Sequence, residues 1–142
     1  MKFEKILLPF DGSAHSINAT NYALNVAKQF RAHVTIIHCF EWHSGMPDVQ
    51  DLRIKSINSD LQRAARNILK KAGEIFANQG VEYKLEIMDG SPGHVLAQLA
   101  KSKEYDLIIM GSHGHSDIEG LFLGSVTHKV LNTIYCPVLV VP

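Results

Sequence analysis

The sequence predicts an α/β fold: a doubly wound, five-stranded parallel sheet in the order 3-2-1-4-5, with helices on both faces. Three observations predict it. Short β-branched and aliphatic runs alternate with longer stretches whose apolar residues recur at helical spacing, the pattern of βαβ units. The first run is apolar without alternation, as a strand buried on both faces requires. Right-handed crossovers with one reversal of direction then set the first and fourth strands side by side. At 142 residues the chain suits one domain over residues 1–142, with a core that hides about two-thirds of the unfolded surface.

Lys5 to Phe10 is the first strand. Ser13 offers an N-cap, and Ile17, Thr20, Ala23, Leu24, Ala27 and Phe30 follow at helical spacing. His33 to Phe40 is the second strand. After a polar loop from Glu41 to Asp48, a long amphipathic helix runs from about Val49 to Gln79. Its apolar face is Ile57, Leu61, Ala65, Ile68, Ala72, Ile75 and Phe76, and Gly80 supplies the stop. Lys55, Arg63, Arg66, Lys70 and Lys71 make its solvated side. Val81 to Met88 alternates Tyr83, Leu85 and Ile87 with Glu82, Lys84 and Glu86, which suits a strand at the sheet edge. Ser91 caps and Pro92 opens a third helix through Lys101. Asp106 to Met110 is the fourth strand, Val126 to Ile134 the fourth helix and Pro137 to Val141 the fifth strand.

Fourteen Lys and Arg against fourteen Asp and Glu leave no long-range positive field for nucleic acid or an anionic membrane, so an anion site must be local. No apolar stretch approaches the roughly eighteen residues of a membrane span, and the opening Met1-Lys2-Phe3-Glu4-Lys5 lacks the apolar core of a signal peptide. A cytoplasmic location is the expectation. Cys39 and Cys136 are far apart, without metal or redox spacing, and read as buried, inert thiols.

In a doubly wound sheet, ligands bind where strand order reverses, beyond the carboxyl ends of strands one and four. Pro9, Phe10 and Asp11 border that crevice on one side, Met110 and Gly111 on the other. The segment from Gly111 to Val126 reads Gly, two residues, Gly, nine residues, Gly-Ser. Glycines admit positive φ and close approach of a ligand, and N–H groups where a helix starts point outward at anions, which places Gly124 and Ser125 to receive phosphate. The spacing has no Lys-Ser or Lys-Thr after the glycines, and it does not follow the first strand as a dinucleotide fingerprint would.

This spacing resembles that of the universal stress proteins. Ile6-Leu7-Leu8-Pro9-Phe10-Asp11-Gly12-Ser13 at one end and Cys136-Pro137-Val138-Leu139-Val140-Val141 at the other extend the resemblance along essentially the whole chain. The glycine pattern is that of the ATP-binding members. By resemblance, Met110, Gly111, His113, Gly114, Gly124, Ser125, Val126 and Thr127 surround ribose and phosphates, and Pro9, Asp11 and the backbone of Cys39 flank the adenosine end, with Phe10 beside them in the crevice. Phe10 stands where smaller residues are common and Cys39 where Val is frequent, so both narrow the adenine pocket. A carboxylate such as Asp11 would repel phosphates in a cleft and belongs near base or ribose. The resemblance also implies a homodimer built on the last strand, whose far edge no further strand covers.

His113 and His115 form a His-x-His pair without a nearby third protein ligand, so a Mg²⁺ or Mn²⁺ held through the phosphates is expected rather than a protein-built zinc site. No Lys clamp or general base accompanies the phosphates, so hydrolysis is expected to be slow at most. The function expected is that of an ATP-binding stress-response regulator. Its rival is a protein-interaction module of the same fold that uses no nucleotide.

Overall fold

The computed structural model describes residues 1–41, 52–133 and 135–142, with their side chains apart from those of 52–58. Among these residues lie β1 (Lys5–Pro9), α1 (Ala14–Phe30), β2 (His33–Phe40), α2 (Leu52–Phe76), β3 (Tyr83–Asp89), α3 (Pro92–Lys101), β4 (Leu107–Gly111), α4 (Ser125–Leu131) and β5 (Val138–Val141). The strands form one sheet in the order β3-β2-β1-β4-β5, with every neighbouring pair parallel. The expected fold is the observed one.

The unbroken apolar run of β1 is explained by two core layers. Ile6 and Leu8 pack with Ala19, Ala23 and Ala27 of α1 and with Leu69, Ala72 and Phe76 of α2. Leu7 points the other way, to Val95, Leu96 and Ala100 of α3 and Val130 of α4. Adjacent side chains on a strand face opposite sides, so a central strand between two helical layers must be apolar at every position.

Ser13 caps α1 as expected, its Oγ accepting from the Ser16 N–H at 3.2 Å. The helix closes on Arg31 in a left-handed conformation, φ 55°, with the Ala32 N–H returning to the Ala27 carbonyl at 3.0 Å. Small residues on the inner face let α1 lie close on the sheet. In α2, Ala65, Leu69, Ala72 and Phe76 are buried while Arg63, Arg66, Lys70 and Lys71 are exposed. It ends at Phe76 rather than near Gln79, because Asn78 as well as Gly80 adopts positive φ. The loop expected at 42–48, the helix start from Val49 to Asp51, and the side chains of Lys55 and Ile57 lie outside the described residues, as does Ile134.

Several element ends move. β3 begins at Tyr83 instead of Val81, although the Glu82 carbonyl already accepts from the Val34 N–H at 3.0 Å. It lies at the sheet edge, where Leu85 is 41% exposed despite its apolar character. Ser91 does occupy the cap position of α3, but its side chain makes no capping bond; only its carbonyl is engaged, by the Val95 N–H. Pro92, with no N–H, leaves one donor fewer to satisfy. Asp106 precedes β4, although its N–H already donates to the Lys5 carbonyl at 3.0 Å; its carboxylate accepts from the Glu4 and Lys5 N–H groups at 2.9 and 3.1 Å. α4 starts one residue early, at Ser125, and its helical stretch stops at Leu131. β5 starts at Val138, one residue late. Cys39 is buried as expected, whereas Cys136 is only half-buried, being in the exposed approach to the edge strand.

Candidate functional site

β1 and β4 pair only through Ile6 with Leu107 and Leu7 with Ile108. Beyond that point the chains part, β1 into α1 and β4 into the loop 112–124, and a cavity of about 310 Å³ opens between them. That volume is at the small end of ligand sites.

One end of the cavity is apolar. Pro9, Phe10, Ile37 and Cys39 come from β1 and β2 and the turn after β1, Met110 from β4, Pro92 and Leu96 from α3, Val126 from α4 and Ile68 from α2. Burial pushes the Cys39 thiol up to about 12, so it faces the cavity as a neutral, unreactive group. His38 also lines this region, and its Nδ1–H donates to the Phe10 carbonyl at 2.8 Å, fixing the β1 end against β2.

The other end is polar and is organised by two carboxylates. Asp11 accepts from the Ser13 N–H at 2.9 Å and from the His115 N–H at 3.1 Å, tying the start of α1 to the loop after β4. Burial pushes its carboxyl up, but the hydrogen bonds from Ser13 and His115 outweigh burial and hold it below the ordinary 3.8. Asp117 accepts from the Gly114 N–H at 2.6 Å and from both the N–H and the hydroxyl of Ser125, at 3.1 and 3.2 Å. Here too partial burial opposes the charge, and the bonds from Gly114 and Ser125, with His113 nearby, prevail and lower the carboxyl.

Of the residues expected at the site, Pro9, Phe10, Asp11, Cys39, Met110, Gly111, His113, Gly114, Val126 and Thr127 all line this cavity. Gly124 and Ser125 are not on its wall, because the Asp117 carboxylate stands over them. The glycines also act differently from expectation. In this loop, positive φ falls on Gly120, not on Gly111, Gly114 or Gly124. What the three share is crowding. A Cβ on Gly111 would lie 2.8 Å from the Cβ of His15 and 2.9 Å from its backbone carbon, so this glycine admits helix α1. A Cβ on Gly114 would lie 2.7 Å from Oδ2 of Asp11, and one on Gly124 would collide with Oδ2 of Asp117.

Two further side chains are already engaged. The Thr127 hydroxyl donates to the Gly111 carbonyl at 2.8 Å, bracing β4 against α4. His113 uses both ring nitrogens: Nε2–H donates to the Leu121 carbonyl at 2.7 Å, and Nδ1 lies 2.9 Å from the Ser112 hydroxyl. Its ring therefore pins the loop. Among the described residues no group of three or more His, Cys, Asp or Glu side chains is arranged to hold a metal ion. None of their helices is long and apolar enough to cross a membrane.

Asp117, His38, Ile68, Pro92 and Leu96 line the cavity without having been expected there. A carboxylate three residues after a glycine, with a Gly-Ser helix start ahead of it, is the one local signal among them. The others arrive from elements remote in sequence.

Residues 2–142 match the model of the universal stress protein family, and the chain belongs to that family. It is 34% identical to universal stress protein MJ0531 of Methanocaldococcus jannaschii, over 98% of this chain and 82% of that one. It is likewise 34% identical to universal stress protein YxiE of Bacillus subtilis, over 98% and 99% of the two chains. Universal stress protein UspA from Lactobacillus plantarum superposes with a TM-score of 0.86 at 24% identity, covering 100% and 99% of the chains. A universal stress protein solved in complex with cAMP superposes at 0.72 and 24% identity, over 99% and 98%. One from Arabidopsis thaliana with AMP bound does so at 0.69 and 17%, over 97% and 90%. At these identities the structural matches establish the shared fold.

Proposed function

We propose that this chain, as a member of the universal stress protein family, binds ATP in the cavity between β1 and β4 and acts as a nucleotide-responsive regulator. The observation that carries the reading is the cavity's polarity. An apolar slot leads to a cluster of backbone and hydroxyl donors that already hold an anionic group. In this reading Pro9, Phe10, Cys39, Met110 and Val126 enclose the adenine. Asp11 and His113 stand by the ribose, and Gly111, Gly114, Gly124, Ser125 and Thr127 form or brace the phosphate end. The fold neighbours that hold cAMP and AMP support an adenine nucleotide as the ligand class.

The donors present fit phosphate oxygens: N–H groups of Gly114 and Ser125, with the Ser125 hydroxyl. A Mg²⁺ or Mn²⁺ would be held through the phosphates. Among the described residues no Lys or Arg lines the cavity, and hydrolysis above about one turnover per second is not expected. The reading includes a cytoplasmic protein and a homodimer joined through β5, whose free edge carries Val138 and Val140 half-buried and Leu139 37% exposed.

Mass spectrometry of ligand released from freshly purified protein, with calorimetric titration of ATP, ADP, AMP and cAMP, tests the reading. Saturable binding to the wild type, lost in Gly114→Val, is the expected result. Failure of every adenine nucleotide to bind would leave the nucleotide-independent interaction module as the function.

A further inference from the structure

We propose that the Asp117 carboxylate is an internal occupant of the phosphate cradle, which a phosphate-bearing ligand must displace, so that Asp117 sets how far the site prefers nucleotides to nucleosides. The inference rests on the nucleotide reading above and concerns only its phosphate end.

The carboxylate sits on three donors from two separate stretches of chain: the Gly114 N–H at 2.6 Å, the Ser125 N–H at 3.1 Å and the Ser125 hydroxyl at 3.2 Å. Those are the donors that the phosphate end needs. Oδ2 also fills the space that a Gly124 Cβ would take, so the room gained by having glycine there is occupied by Asp117. Two anions cannot occupy one set of donors at once, because each bond made to one is lost to the other and their like charges repel at contact distance. Phosphate and carboxylate therefore compete.

The position of Asp117 also permits its departure. Its own N–H reaches the Gly114 carbonyl only at 3.4 Å, and Ser116, Ile118 and Glu119 beside it are exposed. Gly120, at φ 89°, gives the loop a turn that needs no side chain, while the His113 bond to the Leu121 carbonyl anchors the far side. Asp11, the other carboxylate, is bound to Ser13 and His115 instead and is not in the cradle. An adenosine seated in the apolar slot leaves Asp117 in place. A nucleotide does not.

The quantitative consequence follows from population shift: an apparent dissociation constant is raised by the reciprocal of the fraction of chains whose site is open. A cradle closed in about 90–99% of molecules weakens phosphate-bearing ligands about ten- to a hundredfold and leaves adenosine unaffected.

The test is calorimetric titration of adenosine, AMP and ATP into the wild type, Asp117→Ala and the isosteric Asp117→Asn, with melting curves for each. Adenosine should bind all three within about twofold, while AMP and ATP tighten about ten- to a hundredfold in Asp117→Ala. Asp117→Asn should show a smaller gain, since Asn keeps an acceptor for the same donors but no charge. If the Ala variant melts low, the Asn variant carries the comparison. An unchanged ratio of nucleotide to adenosine affinity overturns the inference and leaves the nucleotide reading standing. Weaker ATP binding in both variants also overturns it, because Asp117 would then be serving the bound complex. If neither adenosine nor any nucleotide binds any of the three, the nucleotide reading falls, and this inference with it.

Discussion

Two of the helices that start beside the cavity, α1 and α4, begin with nearly the same backbone and opposite chemistry. Ser13 before α1 has φ −66° and ψ 160°, and Gly124 before α4 has φ −67° and ψ 159°. At α1 the cap is a side chain of the cap residue itself, with Ser13 Oγ on the Ser16 N–H. At α4 the cap residue has no side chain, and a carboxylate seven positions earlier reaches the Ser125 N–H instead. A cap carried by its own residue stays as long as the helix does. One lent by a loop can be exchanged for another anion, so the missing side chain at Gly124 is what makes that helix start available.

The largest test of this contrast separates glycines that admit a helix from those that admit an anion. Gly111→Val would drive its branched side chain into the backbone of α1 at His15 and should destabilise the chain by about 3 kcal/mol, read by urea unfolding. Loss of ATP binding without loss of stability would show that Gly111 belongs to the ligand rather than the fold. The next effect is on affinity. Because the Ser125 hydroxyl holds Asp117 in the free chain, Ser125→Ala removes a bond from both competitors and should weaken ATP about tenfold or less. In the Asp117→Ala background only the phosphate loses it, and the same change should cost about ten- to a hundredfold. Equal losses in the two backgrounds would remove the competition.

Ser13→Ala should lower stability by about 1 kcal/mol, seen as a reduced denaturation midpoint, and leave ATP affinity unaltered once the chain is folded. The smallest effect is with acid. Asp11 and Asp117 have folded pKa values below 3.8, so their charged forms contribute stability that is complete above that value and is lost as pH falls through the lower folded values. Stability followed from pH 5 downward should fall more steeply in the wild type than in Asp11→Asn as pH drops past about 3.8. Superimposable curves would mean that Asp11 ties nothing together.

The fold was legible because its signals are repeated along the chain: continuous apolar runs for β1 and β4, alternation for β3, and helical spacing for α1 and α2. The ends were less so, since they depend on remote partners. Asp106 stands at such an end: its N–H reaches the Lys5 carbonyl, and its carboxylate takes the amides of Glu4 and Lys5. At the site, the glycine spacing singled out a loop that does border the cavity, on partly different grounds. It implied positive φ, whereas the close neighbours are His15, Asp11 and Asp117. Leu96 and Ile68 reach the cavity only through the packing of α3 and α2, which no local pattern encodes. Asp117 lies in the stretch of nine residues that the spacing leaves unspecified.

The short ladder between β1 and β4 divides the sheet. On one side β1 is matched to β2 from Lys5 to Pro9 and β2 to β3 from Val34 to Phe40; on the other, β4 is matched to β5 from Ile108 to Gly111. Between them the register is Ile6 with Leu107 and Leu7 with Ile108, and no more. The molecule thus has a seam down its middle, crossed by α1 at Gly111 and by the Asp11 bond to His115. Whatever fills the cavity touches Pro9 and Cys39 on one bank and Met110 and Val126 on the other. It works as a keystone does in an arch, bearing on both sides at once. Of the two banks the narrower is β4 with β5, the strand at the sheet edge.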